Sequence, residues 1–199
     1  MLIMVRHGQT DANRDGLLQG RVDNPLNEFG VAQAMVVARA MSTSGAKRII
    51  ASPLIRAQQT AACIATELGL DVETDEQLIE LNYGDWENRP LQEISAEQWA
   101  YWRTDPHFAL GGGESLDAVG ARSVAFADKV LNGSSDGGSG FPTIAVSHVS
   151  PMKAIVAWAL GAGTPATWRM HLDTAAVCRI GTRSGIPYLV SFNEALGAR

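Results

Sequence analysis

Lysine is scarce in this 199-residue chain: there are three, against thirteen arginines. All cations together number 16 against 21 acids, for a net charge of −5. That balance argues against a nucleic-acid binder working through a broad basic face. Cysteine is as rare. Cys63 and Cys178 are too few for a disulfide scaffold and have no metal-ligand spacing, so both read as buried thiols. No apolar run approaches the ~20 residues of a membrane span. The apolar start Met1 to Val5 meets Arg6-His7 at once, whereas a secretory signal places its charge first. The expectation is a soluble, cytoplasmic protein with no membrane partner. Internal repeats are absent, and so are the phosphate-loop pattern G-x-x-x-x-G-K-[ST] and a G-x-G-x-x-G after a strand. With 46% hydrophobic and 19% charged residues, the composition is that of a folded globular chain, and the length suits one domain, 1–199.

What is present is a series of short apolar runs separated by helical patterns. Leu2 to Val5, Arg48 to Ala51, Asp71 to Thr74, Thr143 to Ser147, Ala175 to Ile180 and Tyr188 to Phe192 read as strands. From Glu28 onward, Val31, Ala34, Met35, Ala38 and Met41 share one helical face. Ser52-Pro53 and Ser150-Pro151 each read as an N-cap followed by proline at the first helical position. The first helix they open would carry Ala57, Ala61, Ile64, Ala65 and Leu68 on one face, and the second Met152, Ile155, Val156, Ala159 and Leu160 on one of its own. Ser115 reads as the cap of a helix running to about Leu131. Asp11 to Asn27 reads as a long polar loop, and NGSSDGGSG from Asn132 to Gly140 as a flexible connection. Alternating strands and helices imply an α/β fold with a mostly parallel sheet. In such sheets ligands sit beyond the carboxyl ends of the strands. Arg6-His7, Ser52 to Arg56 and Ser147-His148 all fall just after strands and should converge on one edge.

Their convergence would set Arg6, Arg56, His7 and His148 together in an acidic protein. Gathering buried cations is costly unless an anion completes the set. The natural anion is a phosphoryl group, which arginine binds through two parallel hydrogen bonds and which an imidazole nitrogen can attack. The same two arginines would repel a metal cation, so no metal is expected.

These residues carry a resemblance. Arg6-His7-Gly8-Gln9-Thr10 with Asn13 resembles the R-H-G-[EQ]-[ST]-x-x-N signature of the histidine phosphatase superfamily, also called phosphoglycerate mutase-like. Further motifs follow in family order: Gln19-Gly20-x-x-Asp23-x-Pro25-Leu26, Ser52-Pro53-Leu54-x-Arg56-Ala57-x-Gln59-Thr60, Leu78-x-Glu80-x-x-x-Gly84-x-Trp86-Glu87, Gly112-Gly113-Glu114-Ser115 and Val146-Ser147-His148. The resemblance implies a three-layer α/β/α fold with a small helical cover, approximately 87–113, inserted after the third strand. It implies that His7 accepts the phosphoryl group, that Arg6, Arg56 and His148 hold its oxygens, and that Glu80 gives and then takes a proton. Asn13, Gln19 and Gly20 match pocket positions. Val149 stands where the family usually has glycine and keeps the backbone N–H of that position. His148-Val149-Ser150-Pro151-x-Lys153 is similar to a segment of bacterial acid phosphatase domains related to α-ribazole phosphatases.

The resemblance therefore implies a phosphomonoester hydrolase acting on a small-molecule phosphate ester, without a cofactor and with a homodimer left open. The alternative is a cofactor-dependent phosphoglycerate mutase. Mutases of the family look longer and carry basic residues just after the acid, where this chain has Leu81 and Asn82. A non-catalytic binding module would lack one of His7, Arg6, Arg56, Glu80 or His148, and all are present. Trp99, Tyr101, Trp102 and Phe108 could form a wall of the site, but the expectation is that they pack a small helical subdomain; Lys153 could reach the substrate from its helix, but the expectation is a solvated lysine. His107 and His171 read as structural.

Overall fold

The computed structural model of the chain describes residues 1–133 and 140–196. The Gly/Ser segment read from Asn132 to Gly140 lies mostly outside the described residues. All the expected strands form. In chain order the elements are β1 (Leu2–Arg6), α1 (Asp11–Arg14), α2 (Glu28–Met41), β2 (Arg48–Ala51), α3 (Ile55–Leu68), β3 (Val72–Thr74), α4 (Ala96–Thr104), α5 (Leu116–Asn132), β4 (Thr143–Ser147), α6 (Val149–Ala159), β5 (Val177–Arg183) and β6 (Ile186–Glu194). They build one six-stranded sheet in the order β3-β2-β4-β1-β5-β6. β1, β2, β3 and β4 run parallel, while β5 and β6 are antiparallel to their neighbours.

The period-two alternation of β1 divides the core. Leu2 and Met4 face a cluster with Phe126 of α5 and Met152 and Ile155 of α6. Ile3 and Val5 face Val37 and Met41 of α2 and Ala61 and Ile64 of α3. Helices therefore cover both faces, giving the three-layer α/β/α architecture. β1 is buried on both sides, which explains its unbroken apolar run. Each fully buried Leu, Ile or Phe favours the fold by about 1.5–3 kcal/mol relative to exposure.

Several local expectations are corrected. On α2 the buried positions include Gly30, Gln33, Ala34, Val37, Ala38 and Met41, whereas Val31 and Met35 are exposed. The true stripe begins at Gly30, about 100° round the helix from Val31. Neither serine caps as expected. α3 begins at Ile55, and its Ile55 N–H is met by Asp23 Oδ1 at 2.6 Å. α6 begins at Val149 with His148 in the N-cap position, so Ser150 lies inside the helix. Leu160 follows the last turn and is exposed. Ser115 does cap α5 through Ala118 N–H, and Gly69 ends α3 at φ +64°. Cys178 is buried, but Cys63 is only partly so.

The polar segment 11–27, expected to be loop throughout, opens with the helical turn α1, and its remainder is an anchored loop. Leu18 N–H donates to Arg89 O and Asn88 N–H to Leu18 O, while Leu91 N–H donates to Gly16 O. These bonds tie it to the chain after Trp86. There α4 and short 3₁₀ turns gather a third apolar cluster around Leu18, Leu81, Trp102 and Leu110. No helix among the described residues is long and apolar enough to cross a membrane.

Candidate active site

Because β1, β2 and β4 are parallel, their carboxyl ends open on one edge, and the chain leaves β1 there as Arg6-His7. His7 is pinned through its backbone: its N–H donates to Ser147 O at 3.0 Å, and its carbonyl accepts from Ala175 N–H at 3.1 Å. Gly8 N–H donates to Thr60 Oγ1 at 3.1 Å. Here glycine is required by close approach. A Cβ on Gly8 would lie 2.4 Å from Gly30 O, and one on Gly30 would lie 2.0 Å from Gln9 O.

The His7 ring has a defined tautomer. Its Nδ1 lies 2.7 Å from Gly8 O. A carbonyl oxygen only accepts, so Nδ1 carries the hydrogen and the neutral ring keeps its lone pair on Nε2. Burial holds the His7 pKa well below 6.5, reinforced by the positive charges of Arg56 and Arg6 and only partly opposed by the Gly8 bond. The ring is neutral at pH 7.

Arg56 is 1% exposed and donates to Gly20 O at 2.7 Å and Val22 O at 2.8 Å. Arg6 donates to Leu172 O at 2.6 Å, and burial pushes its pKa down to about 10 against the raising effect of Glu80. His148 is fully buried beside His7, with ring centroids 5.0 Å apart and Nε2 2.7 Å from Ser52 Oγ. Burial, then Arg56, holds His148 neutral as well. It does not line the cavity wall. Arg6 Nε, Arg56 Nε and His148 Nδ1 are all buried without a hydrogen-bond partner. Buried donors are normally paired, so three unpaired nitrogens around one histidine mark a site shaped for an acceptor-rich ligand.

Glu80 is 7% exposed and sits at the start of α6. Its Oε1 accepts from Leu81 N–H at 2.7 Å and Ser150 N–H at 3.2 Å, and its Oε2 from Val149 N–H at 3.2 Å. A carboxylate there faces the positive end of the helix. The Ser150 N–H is thus occupied by Glu80, which is why Ser150 need not cap the helix. The backbone of Glu80 is braced too: its carbonyl accepts from Arg21 and Arg122, and Glu114 pairs with both arginines.

These groups open on a cavity of about 310 Å³. Arg6, His7, Arg56 and Glu80 line it together with Asn13, Gln19, Gly20 and Val149. The amide oxygens of Asn13 and Gln19 are engaged by Thr10, which leaves their NH2 groups as donors. Trp99 and Trp102 reach the cavity wall, and Tyr101, 55% exposed, does not. Lys153, expected in solvent, is half-buried and lines the cavity. Trp168 lines it as well and lay in no motif. Its only signal was an apolar residue in the turn Thr164–Arg169. His107 and His171 are exposed and pair with Asp117 and Asp173. Among the described residues no group of three or more His, Cys, Asp or Glu is placed to hold a metal ion.

Residues 2–195 match the family model of the histidine phosphatase superfamily (branch 1), and the chain belongs to that superfamily. A bifunctional protein of Mycobacterium tuberculosis is 34% identical over 180 residues, which are 88% of this chain and 48% of that protein, so the chain spans about half its length. The probable phosphoglycerate mutase GpmB of Yersinia pestis is 35% identical over 193 residues, 94% of this chain and 87% of that one. Among solved structures, the mycobacterial glucosyl-3-phosphoglycerate phosphatase superposes with a TM-score of 0.86 at 28% identity, over 96% of this chain and 98% of that one.

Proposed function

We propose that the chain is a phosphomonoesterase working through a phosphohistidine on His7. Residues 1–199 would form one domain, with 87–113 as the cover over the site. The observation that carries this reading is the His7 tautomer: a neutral ring with its lone pair on Nε2, flanked by buried arginine nitrogens that have no partner. In the first step Nε2 forms a bond to phosphorus and the ester P–O bond breaks. The leaving oxygen takes a proton from Glu80. In the second step Glu80 takes a proton from water, the water oxygen bonds phosphorus, and the N–P bond breaks to release inorganic phosphate. One residue serves as acid and then as base, so the proton count closes over the cycle.

Oε2 of Glu80 accepts one hydrogen bond where Oε1 accepts two, so Oε2 has room for the proton. Arg6, Arg56 and His148 hold the phosphoryl oxygens and stabilise charge in transfer, with the NH2 groups of Asn13 and Gln19 beside them. Gly20 supports this through its carbonyl on Arg56. The Val149 N–H serves through Glu80 Oε2.

The mutase relative favours a second reading, in which the phosphoryl group returns to a bound glycerate. Against it, Leu81 is fully buried and the Asn82 side chain accepts from Gly84 N–H, so neither supplies a cation. Rapid quenching with a 32P-labelled ester tests the choice. Expected are an acid-labile, base-stable phosphoprotein, release of inorganic phosphate, and loss of both in His7→Ala. Transfer between 2- and 3-phosphoglycerate without phosphate release overturns the hydrolase reading.

A further inference from the structure

Arg6, Arg56 and Lys153 are the cations among the described residues that line the cavity. The first two have their guanidinium groups bound to carbonyls at the phosphoryl end. Lys153 has no ion pair or hydrogen bond among the described residues and lies on α6 one turn beyond Val149 and Ser150, which also line the cavity. A half-buried ammonium is costly to leave uncompensated. Its charged neighbours are Arg6, which disfavours its charge, and Glu80, which favours it but lies beyond ion-pair distance. Part of the remaining wall is aromatic. Trp99 stacks on Trp102 with ring centroids 5.4 Å apart, and Trp168 meets Trp102 edge-on at 4.9 Å.

We propose that Lys153 is a specificity-determining residue that reads a second oxyanion on the alcohol half of the substrate, so that the preferred substrates are small phosphomonoesters bearing a carboxylate or a further phosphoryl group. The proposal rests on the phosphatase reading. The cavity of about 310 Å³ is at the small end of ligand sites, roughly 300–1,000 Å³, which suits a small leaving group. The indole wall accommodates its carbon skeleton, and Lys153 supplies the positive charge that Leu81 and Asn82 do not.

The test is a set of esters on one skeleton: glycerol 3-phosphate, 3-phosphoglycerate and glycerol 1,3-bisphosphate, with 4-nitrophenyl phosphate as reference. Wild type should favour an acid-bearing member over glycerol 3-phosphate by about tenfold or more in kcat/KM, mainly through KM, as a hydrogen bond to a charged group supplies. Lys153→Met should bring that ratio near one, and Lys153→Arg should restore part of it. The preferred member shows whether the oxyanion is a carboxylate or a phosphoryl group. A wild-type ratio near one, or Lys153→Met lowering both members equally, overturns the proposal, since a merely structural lysine would leave the ratio alone. If 4-nitrophenyl phosphate is hydrolysed by wild type and not by His7→Ala, such a failure belongs to Lys153. If it is not hydrolysed at all, the phosphatase reading falls and this one with it.

Discussion

Lowering the pH from 7.5 to 5.5 should destabilise the protein through two residues of the site. His7 and His148 are both buried, and burial beside Arg56 and Arg6 holds their pKa values well below 6.5. In the unfolded chain each titrates near 6.5. Below that pH the unfolded state binds protons that the folded state refuses, so stability falls as pH falls. Each histidine then costs about 1.4 kcal/mol between pH 7.5 and 5.5, and the pair about 2.8 kcal/mol. The carboxylates with lowered pKa values, among them Glu114 and Asp173, ordinarily titrate near 4.5 and 3.8. Their contribution is lost only as pH falls below those values, outside this window. Urea unfolding followed by tryptophan fluorescence at the two pH values measures the difference. His7→Gln and His148→Gln should each remove about half of it. Equal stability at pH 7.5 and 5.5, or an unchanged pH dependence in both variants, would refute the claim that the site is held as neutral imidazoles.

Glu80→Gln should lower kcat for alkyl phosphomonoesters by about 10²–10⁴-fold, the usual span of general acid–base catalysis. With 4-nitrophenyl phosphate, whose phenolate leaves without a proton, stopped flow should show a burst of nitrophenolate followed by slow turnover; a burst absent from an otherwise folded variant would place Glu80 elsewhere in the mechanism. Asp23→Ala should lower stability by about 0.5–2 kcal/mol, read from the urea midpoint, because Asp23 supplies the cap of α3 from a distant loop.

The parts legible in the sequence are those with local causes. Leu2 to Val5 reads as a doubly buried strand because every residue is apolar, and Ser115 reads as a cap because its hydroxyl meets an N–H three residues on. Arg6, His7 and Arg56 were recognisable from motifs that sit at strand ends. The failures have distant causes. Ser52 does not cap α3: its hydroxyl meets His148, 96 residues away, and Asp23 caps in its place. α6 starts at Val149, ahead of Ser150, where Glu80, 69 residues upstream, meets the Val149 N–H.

The sequence by itself therefore determined the order of strands and helices, the family, and which residues stand at the phosphoryl end, since these depend on periodicity and short motifs. Only the tertiary structure decided the burial beside Arg56 that keeps the His7 ring neutral, the seat of Glu80 on the first turn of α6, and the placing of Lys153 and Trp168 on the cavity wall. Those features arise where segments far apart in the chain meet, and a hydrogen bond or a buried charge takes its meaning from the partner it meets there.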